Sequence, residues 1–194
     1  MSRELHDRVA QIILAALQEL ELGEACEQKD PTQARACRDR AKDATRAALN
    51  EIRDMAWTLR RPVAADGLEV ELARFLGRAA PPGVDARVQA RGDESLIEAG
   101  VRDELFLVLR EAALNALMHS GAQHVEVTFS VLPDRVQASV QDDGAGMEPA
   151  ATGRTGLSSM RERVSLLDGS LELLSRTGRG TRVDVLIPQP SRSR

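Results

Sequence analysis

The stretch Gln141-Asp142-Asp143-Gly144-Ala145-Gly146 follows a segment in which apolar and polar residues alternate, and the other motifs of the chain are arranged around it. Its pattern is Asp-x-Gly-x-Gly, a carboxylate at a strand end followed by two glycines. The carboxylate of Asp142 can accept a hydrogen bond from an exocyclic amine, and glycines let the backbone pass close to a planar base. The stretch suits purine binding, although the same pattern also describes an ordinary Asp/Gly turn.

The composition excludes several functional classes. The chain has 194 residues, enough for one ordinary domain and a smaller one. Its formal net charge of -4 and pI near 5.5 give no electrostatic reason to expect direct nucleic-acid binding. No apolar run approaches the ~20 residues of a membrane span, and the charged first residues do not form a signal peptide. We therefore expect a cytoplasmic protein.

Cys26 and Cys37 are the two cysteines of the chain, and they flank the tip of a predicted helical hairpin. Two cysteines without neighbouring ligands do not make a zinc site or a disulfide framework. The pattern favours structural thiols, with a redox contact between the two as the alternative.

The first third of the chain predicts two amphipathic helices. Apolar residues recur at helical spacing from residue 2 to about residue 27, and again from Pro31 to about Leu59. Pro31 suits the first position of the second helix, and Arg61-Pro62 ends it. Two helices joined by a short loop form an antiparallel hairpin whose apolar stripe is too wide for one partner to cover. We therefore expect two copies to pair into a four-helix bundle as a homodimer.

The first helix carries the sequence Glu4-Leu5-His6-Asp7-Arg8-Val9-Ala10-Gln11. Its apolar positions face inward, which leaves His6 and Gln11 nearer the solvated side. Asp7 is placed to hydrogen-bond one ring nitrogen of His6, so that the other nitrogen remains free as a nucleophile. The alternative is a histidine that is simply a surface or capping residue.

The pattern after the hairpin changes to mixed helices and strands. Residues 63–67 read as a linker, and residues 191–194 as a frayed tail. We divide the chain into a hairpin domain (1–62), this linker, a second domain (68–190) and the tail. The second domain is predicted to contain helices at 68–79, 101–120 and 158–167, and strands at 84–88, 125–131, 136–140, 170–173 and 181–188.

The helix predicted at 101–120 carries Glu111, Asn115 and His119 at positions i, i+4 and i+8, along one face. A solvated polar stripe is one interpretation. Ala, Leu and Met residues lie beside this stripe, which favours a cleft instead. The core face of the same helix is predicted to consist of Leu105, Val108, Leu109, Ala112, Ala116 and Leu117.

Three features follow the Asp-x-Gly-x-Gly stretch. Residues 147–155 are small and polar without periodicity, which suits a mobile lid. Gly156 and Leu157 open a helix whose first amides favour phosphate oxygens. The sequence Gly178-Arg179-Gly180-Thr181 is typical of a glycine hairpin.

The order of these motifs resembles the GHKL-type ATP-binding domain shared by histidine kinases, gyrase, Hsp90 and MutL. Glu-Leu-His-Asp at residues 4–7 narrows the resemblance to sensor histidine kinases that partner LuxR/NarL-type response regulators, and Met160-Arg161-Glu162-Arg163-Val164 strengthens it. The resemblance spans residues 4–188. It implies an α+β fold, in which an N-terminal antiparallel helical hairpin, a four-helix bundle in the dimer, precedes an α/β-sandwich GHKL ATP-binding domain.

The resemblance implies two functions for the motif around His6. His6 is the phosphorylated histidine, and Asp7 and Gln11 help to hydrolyse the phosphoaspartate of the regulator. Gln11 orients the attacking water in that reaction.

The resemblance also implies a nucleotide site with ATP and Mg2+ as cofactors. Asn115 binds the magnesium ion, Glu111 holds or polarises this site, and His119 contacts phosphate. A single amide oxygen together with phosphate oxygens and water is a reasonable magnesium coordination sphere. The remaining nucleotide-binding residues are Asp142 at the purine, with Gly144, Gly146, Gly156, Leu157 and Thr181 around it.

The implied protein is a histidine kinase core that phosphorylates His6 and passes the phosphoryl group to the receiver domain of a LuxR/NarL-type response regulator. We expect a membrane connection only through a sensor region ahead of this sequence. Two alternatives stay open, a serine kinase of the anti-sigma type and a non-catalytic dimerisation module that binds ATP. Two departures from the family pattern support the non-catalytic alternative. Many relatives carry Lys or Arg where this chain has Met118, and Gly153 is displaced by one residue.

Overall fold

A computed structural model describes residues 2–58, 66–146 and 155–189, and the chain divides into two units, Met1–Arg61 and Pro62–Arg194. The first unit is helical, and the second combines helices with a five-stranded sheet. The α+β class predicted from the sequence is confirmed. Within the described ranges, none of the helices is both long and apolar enough to cross a lipid bilayer.

The first unit is a helical hairpin of α1 (Ser2–Cys26) and α2 (Pro31–Thr58). The turn is fixed at its second half, because the side-chain Oδ1 of Asp30 accepts a hydrogen bond of 2.9 Å from the backbone N–H of Gln33. Asp30 thereby caps α2, and Pro31 occupies the first helical position, where a missing N–H costs nothing. The hairpin is as predicted, with the first helix one residue shorter than expected.

The two helices of the hairpin contact each other through small side chains. A Cβ on Gly23 would lie 3.3 Å from the Cβ of Cys37, so the helix backbones approach closely at this point. The buried residues of this interface are Ala16, Ala34, Cys37, Ala41 and Ala48. Seven large apolar side chains of the described hairpin remain between 44% and 55% exposed in the single chain: Ile13, Leu14, Leu17, Leu20, Leu22, Leu49 and Ile52.

Both cysteines of the hairpin are free thiols, and Cys37 is fully buried. Burial raises the pKa of the Cys37 thiol, because the thiolate would lose its hydration. Arg40 donates a hydrogen bond of 3.1 Å to the Cys37 Sγ and pairs with Glu19 at 2.9 Å. A buried, protonated thiol fits a structural role better than a reactive one.

The second unit is built on a sheet with strand order β1-β2-β3-β5-β4. The first pair, β1 with β2, is parallel, and the other three pairs are antiparallel. The strands are β1 (Asp85–Arg91), β2 (His124–Val131), β3 (Arg135–Asp142), β4 (Ser170–Ser175) and β5 (Thr181–Pro188). The helices that pack on the sheet are α3 (Leu68–Ala79), α4 (Ala99–His119) and α5 (Thr155–Leu166).

The core of this unit lies between the helices and one face of the sheet. Strand residues alternate between the two faces, so every second residue of β3 points toward the helices. These residues are Val136, Ala138, Val140 and finally Asp142, and all four are buried. The predicted core face of α4 is also buried, at Leu105, Val108, Leu109, Ala112, Ala116 and Leu117.

Several boundaries differ from the sequence expectation. The first strand covers Asp85–Arg91 rather than 84–88, because it pairs with β2 along its full length and ends before Gly92, whose φ is 90°. The strand predicted at 136–140 extends to Asp142. The last helix covers Thr155–Leu166 rather than 158–167, and it ends at a turn in which Asp168 has a φ of 53°. Residues 147–154 of the predicted lid (147–155) and the predicted tail lie outside the described residues, whereas Thr155 begins the last helix.

A short 3-10 helix at Glu94–Leu96, absent from the sequence expectation, caps the start of α3. The Glu94 carboxylate accepts hydrogen bonds from the backbone N–H groups of Leu68 at 2.6 Å and Glu69 at 3.1 Å. These amides lack partners within the helix, and the carboxylate also complements the positive end of the helix dipole. Glu94 therefore fixes α3 immediately after the predicted linker.

Replacing this cap tests its contribution to stability. We expect Glu94→Ala to lower the free energy of unfolding by about 1 kcal/mol, because two helix-terminal amides lose their acceptor. Urea denaturation of the wild type and the variant measures the change. Glu98→Ala is the matched control, since Glu98 precedes α4 without making a side-chain cap hydrogen bond. An equal loss of stability in both variants would contradict the capping interpretation.

Candidate functional site

A cavity of about 330 Å³ lies between α4, the end of β3, the start of α5 and the hairpin formed by β4 and β5. Its lining is largely apolar with a few convergent polar groups, as is typical of small-molecule sites. The polar side chains are Asn115, His119, Ser120, Asp142 and Thr181. The remaining lining residues are Ala112, Ala116, Val140, Gly146, Gly156, Leu157, Met160, Leu173 and Val183.

Asp142 is the buried acidic group of this cavity, with only 6% of the residue exposed. It occupies the next helix-facing position of β3 after Val140, so the alternation of the strand directs it inward. Burial raises the pKa of its carboxyl, and hydrogen bonds from the backbone N–H groups of Gly144 and Thr181 oppose that rise. The bond from Gly144 measures 2.9 Å. This carboxylate is a strong acceptor directed at a largely apolar cavity.

The glycines around Asp142 allow backbone segments to contact one another. A Cβ on Gly144 would lie 2.6 Å from the Oγ of Ser120, and a Cβ on Gly180 would overlap the carbonyl oxygen of Asp142. Gly146 has a φ of 70° and leaves no room for a Cβ beside the carbonyl oxygen of Arg176. Gly146 also lines the cavity, whereas Gly144 packs behind it. The glycines thus serve mainly backbone packing, where the sequence suggested access for a base.

Asp143 points away from the cavity and binds the segment between α4 and β2. Its Oδ1 accepts the backbone N–H groups of Gln123 at 2.8 Å and His124 at 2.9 Å, and its Oδ2 lies 2.7 Å from the Nδ1 of His124. The backbone N–H and ring of His124 lower the pKa of the Asp143 carboxyl to about 2. Asp143 had no predicted function, although two adjacent acids at a strand end must point in opposite directions.

The polar stripe of α4 changes from buried to exposed along the helix. Glu111 is buried, Asn115 is partly buried and His119 is exposed at the cavity. The Nδ2 of Asn115 lies 3.5 Å from the Oε1 of Glu111, so an amide and a carboxylate are adjacent. The interpretation as a solvated stripe is wrong for Glu111 and Asn115. Their oxygen atoms are of the hard type that Mg2+ prefers.

The first turn of α5 closes the cavity on the side of Glu111. Gly156 and Leu157 line the cavity there. A Cβ on Gly156 would lie 2.6 Å from the Oε1 of Glu111, so the helix backbone passes close to this carboxylate. The first amides of a helix favour anionic groups, and this side of the cavity is bounded by such a helix start.

The predicted nucleotide residues therefore converge on one site, while the phosphotransfer residues lie in the other unit. Asn115, His119, Asp142, Gly146, Gly156, Leu157 and Thr181 line the cavity, and Glu111 and Gly144 lie directly behind it. Gln11 is exposed on α1. The side chains of His6 and Asp7 lie outside the described residues. The individual functions assigned to all these residues remain predictions.

Ser120 and Met160 line the cavity without having been predicted as site residues, although Met160 belongs to the motif at residues 160–164. Met160 follows Leu157 at a spacing of three residues in α5, so helical periodicity from Leu157 could have identified it. Ser120 lies just after α4, where its hydroxyl donates to the Ala116 carbonyl at 2.7 Å and accepts from the Ala122 N–H at 3.0 Å. No periodic pattern indicates such a residue. The Thr181 hydroxyl lies 3.0 Å from the Ser175 hydroxyl, and the backbone N–H of Thr181 donates a hydrogen bond to the Asp142 carboxylate.

Two family models match this chain. Residues 1–65 match the model described as "Histidine kinase", and residues 100–191 match the model described as "Histidine kinase-, DNA gyrase B-, and HSP90-like ATPase". The first covers the hairpin, and the second covers the elements from α4 to β5 that surround the cavity.

Similar sequences and structures agree with these matches. An uncharacterized sensor-like histidine kinase of Chloroflexus aurantiacus is 29% identical over 97% of this chain and 34% of its own length. The sensor histidine kinase LiaS of Bacillus subtilis is also 29% identical, over 97% of this chain and 53% of its own length. The chain thus spans between a third and just over half of these curated relatives.

Solved structures share the fold at low sequence identity. The histidine kinase domain of the blue-light activated histidine kinase from Erythrobacter litoralis EL346 has a TM-score of 0.58 at 18% identity, covering 94% of both chains. Full-length ShkA in complex with AMPPNP has a TM-score of 0.59 at 19% identity, covering 99% of this chain and 47% of that one.

The close packing behind Asp142 can be tested with two glycines of the same hairpin. Gly178 and Gly180 have φ values of 74° and 75°, but only at Gly180 would a Cβ meet other atoms within 4 Å. We expect Gly178→Ala to cost about 1 kcal/mol of unfolding free energy through backbone strain alone. Gly180→Ala is expected to cost roughly 1–3 kcal/mol more, through overlap with the Asp142 carbonyl. Urea denaturation compares the two, and equal losses would contradict the proposed packing.

Proposed function

We propose that the chain is the core of a sensor histidine kinase, which uses ATP to phosphorylate His6 and then passes the phosphoryl group to a response regulator. The observation that carries the proposal is the buried Asp142 carboxylate in a cavity of about 330 Å³, within the part that matches the ATPase model. The same chain carries a hairpin that matches the histidine kinase model and contains His6.

The nucleotide is proposed to bind with its purine at Asp142 and its phosphates toward α5. The Asp142 carboxylate accepts a hydrogen bond from the exocyclic amine, and the apolar lining excludes water around the base. Asn115 would hold Mg2+, with Glu111 holding or polarising this site, and the ion would neutralise charge on the phosphates. The first turn of α5 adjoins Asn115 at Gly156, and His119 and the first amides of α5 are proposed to complete the phosphate contacts.

The transfer step then requires the cavity and His6 to come together. A ring nitrogen of His6 attacks the γ-phosphorus with its lone pair, and the bond from this phosphorus to the bridging oxygen breaks, so that ADP leaves with the electron pair. Asp7 holds the imidazole in the tautomer that leaves the attacking nitrogen unprotonated. Rotation about residues 63–67 brings the site to the histidine. In the separate phosphatase reaction, Gln11 orients a water toward the phosphorus of the phosphoaspartate, so that the aspartate leaves as a carboxylate and inorganic phosphate is released.

The proposed partners are a second copy of this chain and the receiver domain of a LuxR/NarL-type regulator. The uncovered Ile and Leu side chains of the hairpin support dimerisation, since a contiguous apolar surface of this kind marks a protein interface. The motif at residues 4–7 supports the regulator class. The net charge of -4 supports signalling through that regulator rather than through nucleic-acid binding by this chain.

Of the alternatives, the anti-sigma type serine kinase is not favoured, because residues 1–65 match the histidine kinase model. A non-catalytic module that only binds ATP differs from a kinase in turnover. Incubation of the dimer with Mg2+ and γ-labelled ATP separates all three readings. A histidine kinase yields acid-labile, base-stable label on a histidine of the chain. A serine kinase transfers acid-stable label to serine, and a non-catalytic module transfers no label.

The phosphate acceptor is tested by His6→Gln. We expect this variant to bind ATP like the wild type but to lose autophosphorylation, because glutamine has no nucleophilic ring nitrogen. Calorimetric ATP binding and acid-labile label are measured on the same preparation. Phosphohistidine retained in the variant would place the acceptor at another residue.

The purine contact is tested by Asp142→Asn. We expect a loss of ATP affinity of roughly 100-fold, since the amide replaces a charged acceptor with a group that donates toward the exocyclic amine. The dimer should persist in analytical ultracentrifugation, because Asp142 belongs to the other unit. Asp134→Asn is the matched control, an exposed aspartate beside the other end of β3 that pairs with Arg135. Unchanged ATP affinity in Asp142→Asn would refute the assignment.

A further inference from the structure

We propose that Asp143 is a positioning residue for the nucleotide cavity, because its carboxylate ties the segment after α4 to the loop that follows β3. The inference rests on the proposed function, and it assigns a function to the residue of the Asp-x-Gly-x-Gly stretch that does not face the cavity. The Asp143 side chain is 47% exposed and points outward. Its influence on the nucleotide must therefore pass through Asp142 and α4.

The described hydrogen bonds of Asp143 all go to one short segment, Gln123 and His124. Its carboxylate binds the backbone N–H groups of Gln123 and His124 and the ring of His124, at 2.7 to 2.9 Å. Its own backbone N–H donates to the carbonyl of His124 at 3.3 Å. These two residues connect the end of α4 to the start of β2. The interaction therefore joins two loops that lie about 20 positions apart in the sequence.

A second connection joins the same two loops on the side of the cavity. The backbone N–H of Ala145 donates to the carbonyl of Ser120 at 2.8 Å, and Gly144 packs against Ser120 without room for a Cβ. Asp142 immediately precedes Asp143, so both connections are made by the loop that directly follows it. The two connections together fix the carboxylate of Asp142 relative to the end of α4.

This geometry matters because α4 carries the other end of the proposed site. Asn115 and His119 lie on the last two turns of α4, and Ser120 follows directly. A nucleotide that contacts both Asp142 and Asn115 needs a fixed distance between β3 and α4. Binding energy is lost when two contacts of one ligand cannot be made together, even if each group is intact. Asp143 maintains this distance from outside the cavity.

The charge of Asp143 strengthens the connection. The backbone N–H and ring of His124, together with the backbone N–H of Gln123, lower the pKa of the Asp143 carboxyl to about 2. The carboxylate therefore stays ionised at neutral pH. Hydrogen bonds to an ionised acceptor are shorter and stronger than those between neutral groups. The acceptor geometry contributes separately, since a single oxygen, Oδ1, serves both backbone N–H groups.

The test compares three substitutions at and beside Asp143 by calorimetric binding of Mg-ATP. Asp143→Ala removes the acceptor, and we expect the Kd for ATP to rise about tenfold. Asp143→Asn keeps an oxygen in the place of Oδ1, and its Kd should stay within about threefold of the wild-type value. His124→Ala removes only the ring contact and should likewise stay within about threefold.

Unfolding by urea is measured in parallel, because a purely structural cap would lower stability without changing the Kd of the folded protein. Wild-type affinity in Asp143→Ala, or equal weakening in Asp143→Ala and Asp143→Asn, overturns the inference. If Asp143→Ala does not fold, Asp143→Glu replaces it, since the charge stays while the acceptor moves by one methylene. Weaker binding in Asp143→Glu supports the inference, and wild-type binding overturns it. A wild-type protein that binds no ATP would instead refute the proposed function itself.

Discussion

The second unit depends on holding one carboxylate, that of Asp142, in a largely apolar environment. Removing an ionised group from water is costly unless hydrogen bonds replace the lost hydration. The backbone N–H groups of Gly144 and Thr181 provide this compensation, and burial nevertheless raises the pKa of the carboxyl. The surrounding glycines follow from the same constraint, because three backbone segments must meet around one side chain. The cavity is consequently formed by backbone that cannot easily move, which favours a preorganised site.

Helix α4 links the two ends of this site. Its buried apolar face packs against the sheet, so the polar residues Glu111, Asn115 and His119 are held on a rigid element. The segment after the helix is then attached to the loop after β3 on both sides, by Ser120 and by Asp143. Fold stability and site geometry thus depend on many of the same contacts. A substitution in either loop is expected to affect both, which is why binding and unfolding must be measured together.

The helical hairpin buries small side chains between its helices and leaves large apolar side chains exposed. Its helices approach closely through Ala, Gly and Cys side chains, and this arrangement leaves the larger Leu and Ile residues uncovered in the single chain. Small residues inside and large ones outside suit a unit that completes its core with another copy. The Asp30 cap and Pro31 fix the turn, so the exposed apolar surface belongs to a defined hairpin rather than to two independent helices.

The sequence by itself determined the features that local periodicity encodes. Helix α3 was predicted with its observed bounds, and the alternation along β3 placed Asp142 on the side of the helices. The tertiary structure decided the features that depend on distant segments. Strand β1 continues to Arg91 because β2 supplies its partners, and Glu94 caps a helix that begins 26 residues earlier. Asp143, Ser120 and the packing of Gly180 acquire their contacts only when separate loops meet. Their neighbours in space lie outside any local pattern, so periodicity could not reveal them.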